Sequence, residues 1–353
     1  MIQTTPEHCN NAGTVLPTPA SDLSWKQTIT KYNYPVVGRS IWQLFNTLGP
    51  YAALWVLMVW SSHISYWLTL PLVVVAAGFL VRIFIIFHDC THGSYFRSRN
   101  ANNITGFVTG VLTFTSYHQW RFQHAQHHRT SGDLDRRGIG DVWTMTVEEY
   151  LAASRWERLV YRFIRNPIIL MVVGPTFMFL IHHRFPAKEV PKRINRYVHA
   201  TNLAILVSAV FMSLLIGFKT YVLIQLPVLA LTTAVGHWLF YVQHQFEGVY
   251  WERQENWSFV DAALRGSSYY KLPKILQWFS GNIIFHHLHH LSPAIPNYNL
   301  ERCHEDHPVF QQVTTLSLWS SLKSLSLRLW DEQSQRLISY RELRTIRMEL
   351  TSG

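Results

Sequence analysis

The chain has 353 residues, 48% of them hydrophobic, with 14 Trp, 16 Tyr and a formal net charge of +10. Its apolar residues come in blocks of about twenty, the length of membrane-crossing helices rather than the scatter of a soluble core. The basic residues lie between those blocks and beside tryptophans, which suits an anionic lipid surface and argues against a nucleic-acid partner. Three widely spaced cysteines, Cys9, Cys90 and Cys303, make neither a disulfide framework nor a zinc ribbon.

Residues 1–35 open on a polar stretch with Pro6, Pro17 and Pro19 and without a charged-then-apolar leader, so a flexible cytosolic tail is expected there. A membrane domain follows over 36–330. Its first apolar segments, 41–60 and 67–87, are joined by a link without Lys or Arg. Lys26, Lys31 and Arg39 precede the pair, and Arg97 and Arg99 follow it. The positive-inside rule makes this a hairpin with both ends cytosolic. Residues 104–117 are apolar but too short to cross and are expected to dip into the interface. Residues 156–165 mix Arg with Leu, Val, Tyr and Phe, as an interfacial amphipathic helix does.

Three apolar stretches follow, 167–181, 199–218 and 221–241. The first would span only ~22 Å against ~30 Å of hydrocarbon, and Pro175 interrupts it. The loop after it holds Lys188, Lys192 and Arg193 and is expected to be cytosolic. Only the second and third are therefore expected to cross, as a second hairpin. The predicted fold is an all-α integral membrane protein: four transmembrane helices in two hairpins, interfacial helices and a cytosolic cap. Pro293 and Pro296 force an extended path after residue 291. Residues 316–330 are expected to pack on the cap or the lipid surface, and 331–353 to form a C-terminal cytosolic tail.

Three histidine boxes punctuate this order. His88 and His92 stand at i and i+4; His124, His127 and His128 at i, i+3 and i+4; and His286, His289 and His290 repeat that spacing. On helices such rings share a face. A lone box on a surface helix usually binds nothing, but three, each beside a long apolar segment, argue for metal. Eight imidazoles are too many for one tetrahedral zinc and suit two neighbouring ions with mostly nitrogen ligands. The parity of the spans puts all three boxes on one side of the membrane. His8, His63, His199, His304 and His307 read as ordinary surface or interfacial residues. His287 lies off the shared face, and His237 reads as a hydrogen-bonded core residue.

The stretches HDCTHGS at 88–94, WRFQHAQHH at 120–128, SGDLDRRGIGDVWTMTVEEY at 131–150, FYVQHQFE at 240–247 and HHLHHLSPAIPNYNL at 286–300 resemble the membrane fatty acid desaturases. The likeness is to the bacterial and cyanobacterial acyl-lipid branch of delta-12 (omega-6) type. One departure is Thr91, where that branch usually has Gly. The resemblance implies a diiron centre on the eight box histidines, with His244 in the place of a ninth; the alternative from sequence alone is a structural residue near the interface. It also implies consumption of O₂ and two electrons to remove two hydrogens from adjacent carbons of a lipid-linked acyl chain, with no catalytic side chain beyond the metal ligands. An unactivated C–H bond needs such metal chemistry, since no side chain can abstract its hydrogen. An apolar tunnel beneath the histidines is expected to hold the acyl chain.

Asp89 and Asp141 are candidates to orient imidazole N–H groups, or are helix-cap carboxylates. The sequence has no dinucleotide, flavin or haem motif, so electrons are expected from a ferredoxin or small cytochrome. Docking is expected on the basic stretches 129–137 and 184–196, whose charge positive-inside topology explains equally well. The expected location is a bacterial inner membrane, with the site facing the cytosol. The alternatives are a diiron acetylenase or hydroxylase on the same scaffold, or a membrane metal-binding or transport protein. The last needs metal-binding groups in mid-span, where only His237 lies.

Overall fold

A computed structural model describes residues 24–352. The chain enters with α1 (Ser24–Tyr32), followed by α2 (Val37–Ser62), α3 (Tyr66–His92), α4 (Arg99–Leu112) and α5 (Tyr117–Thr130). Then come α6 (Val147–Ala152), α7 (Arg155–Ile164), α8 (Gly174–Leu180), α9 (Asn195–Ile216) and α10 (Phe218–His244). Short helices α11 (Phe259–Leu264), α12 (Lys274–Phe279), α13 (His286–Leu291) and α14 (Asn297–Asp306) lead to the C-terminal region.

Four helices are long and apolar enough to cross a membrane, and they are those expected: α2, α3, α9 with its lead-in turn, and α10. α3 and α10 each have 27 residues. At 1.5 Å per residue each is about 40 Å long, more than the ~30 Å of a hydrocarbon core. The surplus is what carries His88, His92 and His244 past the apolar stretch on a continuous helix. Only three residues separate α2 from α3, and Gly217, at φ +87°, alone separates α9 from α10. α3 packs against both α2 and α10. Met58, Leu80, Ile83, Ile224 and Val228 close that seam, and Thr232 Oγ1 donates to Ala77 O at 3.3 Å across it.

The segment over 167–181 does not continue α7 straight, but the break falls at 165–168, ahead of Pro175 rather than at it. A π-turn (Ile169–Val173) precedes α8, and this pair is bent by 64° from α7. Pro175 sits in the first turn of α8, where a missing N–H is tolerated. α7 is closed at its start by a reciprocal cap between Ser154 and Glu157. It buries Tyr161 and exposes Trp156, Leu159 and Phe163 on one stripe, the pattern of a helix lying in an interface. α4 is pressed onto its neighbours at Gly106, where an added Cβ would meet the Tyr117 ring at 2.2 Å.

Three expectations need correction. Residues 1–23 of the predicted N-terminal tail lie outside the described residues, but Ser24–Tyr32 is a helix. It buries Trp25 and Ile29, and Lys31 pairs with Asp306 of α14 at 2.8 Å. The predicted C-terminal tail is likewise built in: Leu337, Ile338 and Leu343 are buried, and Tyr340–Ser352 is helical. An apolar residue every few positions was enough to dock each end. The fold is mostly helical rather than all-α. β1 (Tyr269–Tyr270) pairs in parallel with β2 (Thr315–Leu316), and β3 (Leu329–Asp331) antiparallel with β4 (Arg336–Ile338).

Candidate metal centre

Nine histidines converge where α3, α5, α10 and α13 end or begin. The ligand-capable nitrogens of His88, His92, His124, His128 and His289 lie within 4.8 Å of one another, as do those of His127, His244 and His290. His286 completes the second group, its Nε2 at 2.9 Å from His244 Nε2 and 3.2 Å from His290 Nε2. The groups adjoin through the stacked rings of His128 and His290, 4.3 Å apart. The ninth histidine suggested by resemblance, His244, thus lies among the eight box residues.

Helix geometry explains the division. Positions i and i+4 are about 40° apart around a helix, whereas i+3 lies about 100° from i+4. In α5 the i/i+4 pair, His124 and His128, joins His88 and His92, and His127 turns to the other group. In α13 the arrangement is reciprocal: His286 and His290 join His244, and His289 crosses over.

The donor set fits metal ions. A neutral imidazole carries one N–H and one lone pair. Yet His124 Nε2 faces both His88 Nε2, at 2.9 Å, and His128 Nε2, at 3.1 Å. The Nε2 atoms of His92, His127 and His289, and Nδ1 of His128 and His286, are buried without a partner. Each such group costs about 1–3 kcal/mol unless something satisfies it. Burial, reinforced by neighbouring histidines, pushes His124, His128, His289 and His290 well below the usual imidazole range. These rings are therefore neutral, with lone pairs free to bind a cation.

The far side of several rings is held. His127 Nδ1 lies 2.7 Å from Asp141 Oδ1, His88 Nδ1 is 3.4 Å from Asp89 Oδ1, and His244 Nδ1 is 3.3 Å from the Gly266 carbonyl. An oxygen there fixes the proton on Nδ1 and directs Nε2 into the cluster. Asp89 also serves as a cap, its Oδ2 accepting from the backbone N–H of Asn297 at 2.7 Å and from Asn297 Nδ2 at 2.8 Å. It caps α14, not its own helix. The Gly266 carbonyl is invisible to motif reading, because a backbone oxygen leaves no residue signature. The Trp120 ring lies over His124 at 4.1 Å.

The remaining histidines sort themselves. His287 points away from the cluster, its Nε2 at 3.3 Å from His304 Nδ1, so His304 is an internal partner rather than a surface residue. His307 likewise meets Ser24 Oγ at 2.7 Å. His63 and His199 are exposed, and His8 lies outside the described residues. His237 was expected to be hydrogen-bonded, but its Nε2 is buried and unpartnered. Cys90 and Cys303 are buried free thiols.

Residues 64–318 match the family described as fatty acid desaturase. The chain belongs to that family. The fatty acid desaturase of Bacillus subtilis (strain 168) is 49% identical over 324 residues, 91% of this chain and 92% of that one. The sn-1 oleoyl-lipid 12-desaturase of Synechocystis is 28% identical and matches 67% of this chain and 68% of its own length. The sn-1 acyl-lipid omega-3 desaturase (ferredoxin) of the same organism is 24% identical, covering 77% and 75%. These relatives bear out the resemblance to the bacterial acyl-lipid branch. The enzyme is an oxidoreductase of the fatty acid desaturase class.

Within the desaturase, Thr91 departs from the branch without disturbing the box. Its buried hydroxyl donates to the His88 carbonyl at 2.6 Å, inside the helix. A cavity of about 350 Å³ opens beside His244 and Asp141, between Val142, Trp143, Phe240 and Gln245. Its lining mixes polar and apolar side chains. Asp141→Asn keeps the shape but lets an amide N–H face His127 Nδ1. Metal affinity is expected to fall by about 10–100-fold, the usual cost of losing such a partner. Titration with a competing chelator checks this.

Proposed function

We propose that the nine histidines hold two iron ions, and that the enzyme inserts a cis double bond at the delta-12 position of a monounsaturated acyl chain esterified in a membrane lipid. The observation that carries this reading is the division of the imidazoles into two adjoining groups, His88, His92, His124, His128 and His289 against His127, His244, His286 and His290. All-nitrogen sets of this kind suit iron. The names of relatives at 25–28% identity, sn-1 oleoyl-lipid 12-desaturases, support the lipid-linked substrate and the position.

Bound iron would supply activation of O₂, so that one O₂, two electrons and two protons become two waters as two hydrogens leave adjacent methylenes. The protein's own part is to hold the rings. Asp141, Asp89 and the Gly266 carbonyl keep protons on the far nitrogens, and buried Ile86, Phe87, Phe285 and Leu288 help keep bulk water from the cluster. The clusters sit at helix ends rather than in mid-span, which favours an enzyme over a metal transporter. The electron donor in this reading is a ferredoxin, as in the name of the omega-3 relative. The two long helix pairs are read as membrane hairpins, with the bent 155–184 segment re-entrant and the site on the cytosolic side of a bacterial inner membrane.

Labelled oleate fed to a host lacking polyunsaturated lipids is expected to appear as linoleate in phospholipid when the chain is expressed, with two irons per purified chain. A hydroxylated or triple-bond product, or conversion only of a soluble thioester, would replace this reading with one of its relatives.

A further inference from the structure

A second concave surface lies between α5 and the start of α9. His118, Arg121 and Ala125 of α5 face Arg193, Arg196 and Tyr197 at the start of α9 across a groove of about 430 Å³. None of the nine clustered histidines lines the groove, so it is separate from the metal centre. The His118 and Tyr197 rings pack at 3.8 Å and form its floor.

The charge in the groove is uncompensated. Among the described residues, no carboxylate forms an ion pair with Arg121, Arg193 or Arg196. The nearby basic stretch 129–137 behaves differently, with Arg136 paired to Asp133 at 2.5 Å and Arg137 paired to Glu149. Burial and then the Arg121 and Arg196 guanidinia lower the His118 imidazole from its usual range, in keeping with a positive field at the floor. Planar guanidinia converging without carboxylates suit a phosphate.

Depth in the membrane identifies the source of that phosphate. α9 runs from these arginines straight into the least buried of the four apolar spans, with Leu206, Val210, Phe211 and Leu214 exposed. From Arg196 to Leu214 the helix rises about 27 Å, close to the hydrocarbon thickness. Arg196 and Tyr197 therefore stand at headgroup level, with lipid chains beside the same helix. We propose that the groove between α5 and the start of α9 is a binding site for the headgroup phosphate of a membrane phospholipid. The proposal is independent of the identity of the metal.

Native mass spectrometry of the full-length protein in detergent tests it, with phosphatidylglycerol, the matching diacylglycerol and inorganic phosphate as probes. One phosphatidylglycerol is expected to bind tightly. The double variant Arg193→Gln, Arg196→Gln is expected to weaken it by about a hundredfold, about tenfold for each lost charge-assisted contact. Ala125→Glu, which places a carboxylate in the groove on an exposed helical position, is expected to weaken it about tenfold and guards against misfolding of the double variant. Diacylglycerol is expected not to bind there, and the metal content of both variants to stay unchanged. Equal binding of diacylglycerol, or undiminished phosphatidylglycerol binding in both variants, overturns the proposal. Displacement of the lipid by an equal concentration of inorganic phosphate would assign the groove to free phosphate. Unchanged lipid binding with slowed donor-supported turnover would assign it to an acidic carrier protein.

Discussion

Alanine in place of His289 is expected to lower bound iron and desaturation together, activity by at least about a hundredfold, the upper end of what loss of an outer partner costs a metal site. His289 is the only member of its box in the group of His88, His92, His124 and His128. Its ring lies 4.3 Å from His88 and 4.6 Å from His128. Removing it opens that group on the side of α13. His287→Ala is the paired measurement. His287 is equally buried but faces His304, so its loss should leave the metal content intact and lower the melting temperature by a few degrees. Metal analysis and turnover on the two variants separate the cases. A His289 variant with full metal content would remove that residue from the ligand set.

The second large effect is expected at Asp89. Its carboxylate is 2% exposed and bridges two parts of the chain, from the His88 ring on α3 to the first N–H and the side chain of Asn297 on α14. Asp89→Ala leaves the backbone N–H of Asn297 buried without an acceptor, a loss of about 1–3 kcal/mol. Gln43 of α2 holds the Asn297 amide from the other side, donating Nε2 to Oδ1 at 2.9 Å and accepting from Nδ2 on Oε1 at 3.3 Å, so the side chain keeps a partner and the backbone N–H does not. The third box, seven residues before Asn297, loses its anchor to the first. Stability and metal retention are expected to fall together. Asp89→Asn, which keeps one acceptor oxygen, should recover part of the stability and less of the metal affinity. Thermal melts of apo and metal-loaded protein distinguish the two contributions: equal losses in both forms would mean that Asp89 only caps α14.

Much of this protein follows from local physics and is readable along the chain. Apolar run length sets which helices can span a bilayer. The i, i+3, i+4 spacing settles which rings of one box share a helix face. These are properties of one helix at a time. The terminal segments were misjudged because sparse apolar residues such as Trp25 and Leu343 reveal their docking only against a partner surface.

What only the tertiary structure decided is how the boxes combine. The spacing turns His127 and His289 away from the i/i+4 pair of their own boxes, but it does not say that His289 should meet the first and second boxes or that His127 should meet the third. That exchange depends on how α13, a six-residue helix, is aimed. Its aim is set by elements distant in sequence from the other boxes: it packs against α11, α14 and β1, and the Tyr270 N–H holds Ile284 O just before it at 3.0 Å. The groove over α5 has the same origin, since Arg121 and Arg196 are 75 positions apart and share a surface only because α9 starts beside α5. A helix period fixes direction around its own axis; it carries no information about which other axis stands opposite.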